Sequence, residues 1–125
     1  MPPSGPLWRG DSILDPTFQT QPAPEIKPPE NKHVWEFVWE KWWFPRGLRR
    51  ATAYRCLNGI QKYGTSLQPF NGRNAVQDAV EENMDHLAYV EQLAQEGRLS
   101  QMLCTLLQLL DIFSMWVLLT FSKKV

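Results

Sequence analysis

Apolar residues recur at helical spacing along three long stretches of the chain and one short one. From Val34 to Phe44, in VWEFVWEKWWF, Trp35, Val38, Trp39 and Trp42 fall on one stripe, Glu36 and Glu40 fall elsewhere, and Pro45 supplies a stop. A second helix is predicted over Leu48 to Tyr63, with Ala53, Cys56, Leu57 and Ile60 facing inward. Gly64 stands where a left-handed cap belongs, and Lys62 suits the negative end of the helix. Thr65 to Arg73 reads as a loop because Pro69 and the Asn71-Gly72 pair are turn formers. A third helix is expected from Ala75 to Glu96, capped by Asn74 or Asn71 and stopped at Gly97, with Val76, Ala79, Val80, Leu87, Val90 and Ala94 as its inward stripe. The fourth begins near Leu99 or Ser100 and runs to Phe121.

Ahead of the helices the pattern changes. Eight of the ten prolines lie between Met1 and Asn31, where missing N–H groups and fixed dihedral angles oppose regular structure. Residues 1–33 therefore read as an extended proline-rich arm and 34–125 as one helical domain. In the arm, Leu7, Trp8, Ile13, Leu14, Phe18 and Ile26 are spaced as in a peptide laid along a groove, with Trp8 and Phe18 far enough apart for separate pockets; a flexible tail whose few large residues touch only their own domain is the alternative. Four tryptophans between Trp35 and Trp43 exceed what one short helix can bury. Trp35, Trp39 and Trp42 are the expected partner anchors, and Trp43 is expected to turn toward the domain's own core. Arg46, Arg49 and Arg50 suit a partner's carboxylates or anionic lipid heads.

The last segment, MLCTLLQLLDIFSMWVLLTF, is long enough to cross a hydrocarbon core of about 30 Å. Asp111 near its middle opposes a lone lipid-facing helix. The preferred expectation is a helix buried in protein, in which Asp111 meets a polar edge or a paired donor while Leu106, Leu110, Phe113 and Val117 pack inward. A membrane helix over 102–121 is the alternative.

Composition narrows the field. The 125 residues leave room for a single core, and 43% apolar against 21% charged residues argues for folding. Thirteen basic residues balance thirteen acidic ones, so net charge offers no support for a nucleic-acid partner. Cys56 and Cys104 are expected as buried thiols, and with only His33 and His86 beside them a structural zinc site lacks ligands. The amino terminus has no basic segment followed by an apolar run, so the expectation is a protein of the reducing cytoplasm.

Candidate chemistry concentrates on the third helix. Asp78, Glu82 and Asp85, at spacings of four and three, share a face and offer oxygen ligands for a hard cation such as magnesium, which can hold a substrate's phosphates. A solvated face near the helix N-terminus accounts for the same residues. His86 is read as a structural histidine. Lys62 and Arg73 flank the loop as potential phosphate ligands or as a plain helix end and loop.

The run from Lys62 to Leu93, with Lys-Tyr-Gly before a loop, an Asn-Gly-Arg turn and a helix carrying Asp, Glu-Glu and Asp, resembles phage-encoded helical proteins distantly related to the MazG-like all-α nucleoside triphosphate pyrophosphohydrolases. The resemblance implies a magnesium-dependent, oligomeric bundle. It would make Glu82 and Asp85 a catalytic pair and place Lys62 or Arg73 at the phosphates of a nucleoside triphosphate. No acidic residue lies between Leu48 and Tyr63, so the Glu-x-x-Glu half of the family's cage is missing. The fold class expected is therefore all-α, a helical hairpin or bundle completed by oligomerisation or assembly. The leading function is a non-catalytic interaction or assembly component without a cofactor. The alternatives are the pyrophosphohydrolase and a small membrane-associated subunit.

Overall fold

The computed structural model describes residues 20–123, and Trp8 and Phe18 lie outside them. The fold is all-α: four helices, α1 (Val34–Trp39), α2 (Arg49–Tyr63), α3 (Ala75–Gln95) and α4 (Gln101–Phe121), with no strand among the described residues. The contacts separate two compact units, one spanning Gln21–Arg73 and the other represented by residues 74–123. That boundary falls inside the stretch read as one helical domain. It also divides the charge. Nine Lys and Arg against four Glu give Gln21–Arg73 a net charge of +5, whereas two basic against seven acidic residues give 74–123 a net charge of −5.

In the first unit the proline-rich residues after Gln21 are tied to the loop that follows α2. The N–H of Glu25 donates to the carbonyl of Asn71 at 2.8 Å, and that of Val34 to Leu67 at 2.8 Å. Prolines cannot donate, but their carbonyls accept: Pro28 from the Gln68 amide at 3.2 Å and Pro22 from the Arg73 guanidinium at 2.6 Å. Gln68, Thr65 and Asn71 are correspondingly buried, which is unusual for loop side chains. Gly72 has φ +83°, and a Cβ there would lie 2.8 Å from Glu25 Oε1, so the residue answers both a backbone and a packing requirement. Gly64 adopts φ 75° and closes α2 through its N–H to Ile60, as its position predicted.

Helix α1 is shorter than its pattern suggested. It ends at Trp39 rather than Phe44, and the chain continues in turns closed by bonds between residues three apart, Lys41 to Val38 and Phe44 to Lys41, before Pro45. Trp42 and Trp43 therefore lie beyond the helix, and Trp43 is exposed rather than core-facing. Of the face predicted for α2, Cys56 is buried and Ala53 half-buried, while Leu57 and Ile60 are exposed. Burial pushes the Cys56 thiol up from its ordinary range, with the Glu36 carboxylate adding to the effect.

The second unit is a helical hairpin. The Asn74 side chain accepts from the N–H groups of Val76 and Gln77 to start α3, and Ser100 accepts from Leu103 to start α4. Between them Gly97 at φ 67° and two bonds, Gly97 to Ala94 and Arg98 to Leu93, form a Schellman end that turns the chain back. The pairings His86 with Asp111 and Glu91 with Gln108 fix an antiparallel register. Val80 and Val90 are buried, and the rest of the predicted α3 stripe is half-buried. Cys56 and Cys104 are free and buried.

Candidate functional site

The face that α4 turns to α3 carries two of its polar residues, Gln108 and Asp111. Asp111 is only 8% exposed, and its Oδ2 lies 2.6 Å from His86 Nδ1. An ionised carboxylate only accepts, so the ring nitrogen carries the proton in this contact. One turn earlier the Gln108 amide donates to Glu91 at 3.2 Å and to the carbonyl of Leu87 at 3.4 Å. Hydrogen bonds from Gln95 and Gln108 hold the Glu91 carboxyl below its ordinary pKa.

Turning Gln108 and Asp111 inward rotates the opposite side of α4 outward. Leu106, Leu110 and Phe113, expected in the core, are more than half exposed, together with Met102, Leu109 and Phe121. Only Val117 of the expected inward set is half-buried. At 100° per residue, Met102, Leu106, Leu109, Leu110, Phe113 and Trp116 form a continuous stripe along a helix about 31 Å long. Beside it an apolar hollow of about 260 Å³ opens between the helices, lined by Val80, Met84, Leu87, Ile112, Met115, Trp116 and Leu119. Phe113, Trp116 and Phe121 pack ring against ring at its edge.

The acidic residues singled out on α3 are in a different setting. Glu82 and Asp85 are exposed, Asp78 lies in the first turn, and among the described residues no group of three His, Cys, Asp or Glu is placed to hold a metal ion. Lys62 sits 5.1 Å from the Tyr63 ring centre, and Arg73 is engaged with Pro22. The tryptophans divide. Trp39 stacks on Trp35, meets His33 edge-on, lies under the Arg49 guanidinium at 3.5 Å and donates its indole N–H to Thr52 Oγ1 at 2.8 Å. It joins α1 to α2. Trp42, by contrast, is 94% exposed. Sequence reasoning singled out Arg50 with Arg46 and Arg49 but left out its neighbours in a shallow depression, Gly47, Ala51, Tyr54 and Arg55. Its signal was present: no acidic residue occurs between Lys41 and Arg73. No protein-family model matches the chain, and no curated protein or solved structure is similar to it.

Proposed function

We propose that this protein is a non-catalytic assembly component that docks a protein partner, or a second copy of itself, through the outward face of α4. The observation that carries the reading is the setting of that helix, with Asp111 and Gln108 turned to α3 and a stripe of large apolar residues left outward. Eight of those residues, Met102, Leu103, Leu106, Leu109, Leu110, Phe113, Trp116 and Phe121, remain exposed. At roughly 100 Å² each they leave about 800 Å² of apolar surface in water. That exceeds the largest patch on most monomers and matches one side of a standard interface.

The membrane-associated reading draws on the same helix, which is long and apolar enough to cross a bilayer. Its difficulty is α3, paired along the length of α4 and carrying exposed Glu82 and Asp85. A spanning α4 would pull those carboxylates into hydrocarbon, at about 2.5 to 3.5 kcal/mol each, or lose the hairpin. The deciding experiment is sedimentation equilibrium of the full chain without detergent, beside a Leu109→Glu/Phe113→Glu variant. The wild type should sediment as a defined oligomer or bind a purified partner, and the variant should remain monomeric with unchanged helical circular dichroism. A wild type recovered only in membranes, resistant to salt and high pH, would replace this reading with the membrane subunit.

A further inference from the structure

The unit Gln21–Arg73 carries a second exposed surface of different chemistry. Between α1 and α2 the chain presents Lys41, Trp42, Trp43, Arg46 and Leu48, and the first turns of α2 add Arg50, Tyr54 and Arg55. Seven basic residues and no acidic one lie between Lys41 and Arg73. Arg46, Arg50 and Arg55 make no ion pair among the described residues, whereas the nearby Glu40 is already held by Lys32. The positive charge is therefore uncompensated. It is also interleaved with exposed indoles and an aliphatic side chain, Leu48, which is about half exposed. Arg50, Tyr54 and Arg55 line one shallow depression with Gly47 and Ala51, which places two arginines beside a tyrosine on one side of α2.

We propose that this surface docks on an anionic phospholipid membrane, with Trp42, Trp43 and Leu48 entering the headgroup region and Arg46, Arg50 and Arg55 on lipid phosphates. Indole rings favour the boundary where one side is apolar and the other wet, and arginine stems lie along apolar surface while their heads stay with phosphate. Trp42 stands almost fully exposed and Leu48 adds an aliphatic member, features that a bilayer accommodates and that a track of stacked nucleic-acid bases does not use. Docking of this kind is peripheral and does not require α4. It differs from adsorption through the α4 stripe, which is uncharged and belongs to a unit of net charge −5 that an anionic surface repels.

The test is co-sedimentation of the full chain with vesicles of phosphatidylcholine alone and of phosphatidylcholine with 30% phosphatidylglycerol, following tryptophan emission. The protein should bind the anionic vesicles with a blue shift, bind neutral ones weakly, and be released as salt shortens the screening length. Each arginine near an anionic surface contributes about fivefold in affinity, so Arg46→Glu/Arg50→Glu should weaken binding at least about 25-fold. Trp42→Ala/Trp43→Ala should remove the blue shift, and Leu109→Glu/Phe113→Glu should leave vesicle binding in place. Equal binding to both vesicle types, no effect of the arginine reversals, or binding to a single-stranded oligonucleotide with none to vesicles would overturn the proposal. Because the α4 variant is read on oligomerisation and the arginine variant on vesicles, failure of one reading leaves the other standing.

Discussion

Replacing His86 by Ala tests whether one contact keeps α4 in its rotational setting. The substitution removes the donor that Asp111 uses, 2.6 Å away, and leaves a carboxylate that is only 8% exposed without that partner. Removing a buried partner from an ion pair costs about 3 to 5 kcal/mol when both groups are out of solvent. His86 is half-exposed, with 52% of its side chain accessible, so water replaces part of what it supplied. A hydrogen bond to a charged group, about 1.5 to 3 kcal/mol, is the better measure. Because the chain holds two units, a global melt would mix their responses, whereas amide hydrogen exchange reads the hairpin itself. Protection in the centres of α3 and α4 should fall roughly 10- to 150-fold in His86→Ala, since each 1.4 kcal/mol is a factor of about ten. Asp111→Leu removes the buried charge together with its need for a partner and should cost little or stabilise. In that background His86→Ala should have almost no effect. If it lowers protection as much with Leu at 111 as with Asp, the pair is not what orients α4.

Two further outcomes follow from the geometry. Gly72→Ala forces a side chain onto a backbone at φ +83° and against Glu25, so it should lower the stability of the Gln21–Arg73 unit by about 1 to 2 kcal/mol, measured by urea unfolding followed through Trp39 emission. The folded-state pKa of Glu91 is lowered, so its contribution is complete above the ordinary glutamate value of about 4.5 and is lost as pH falls through the lowered one; NMR titration of Gln108→Ala should move the Glu91 carboxyl back upward.

Local signals carried much of the fold. Gly64, Asn74, Gly97 and Ser100 act within a few residues of their own position, and each ends or begins a helix as its chemistry dictates. The α3 stripe was equally legible, because carboxylates and amides are common over the rest of that helix and favour one inward face. Helix α4 offered no such contrast. Apolar residues surround almost its whole circumference, so its orientation depends on Asp111 and Gln108 finding partners 25 and 17 positions earlier, and periodicity does not contain that information. The same holds for the proline-rich segment, whose docking rests on carbonyl oxygens that every residue possesses. The arginines around Arg50 were legible as a local cluster, whereas whole-chain neutrality concealed that opposite charges are segregated between the two units and cancel only in the total.

The bond from Glu25 to Asn71 means that the Gln21–Arg73 unit enters and leaves at nearly one point. A module with adjoining ends can be lifted out, joined head to tail by a short linker and reopened elsewhere without disturbing its interior. The natural place for new termini is the Phe44-Pro45 dipeptide between Trp43 and Arg46, where neither flanking helix is interrupted. Such a permuted module would carry Trp39 and its Thr52 contact intact, yet split the tryptophan pair from the arginines, so aromatic and cationic halves of one surface become separately movable parts.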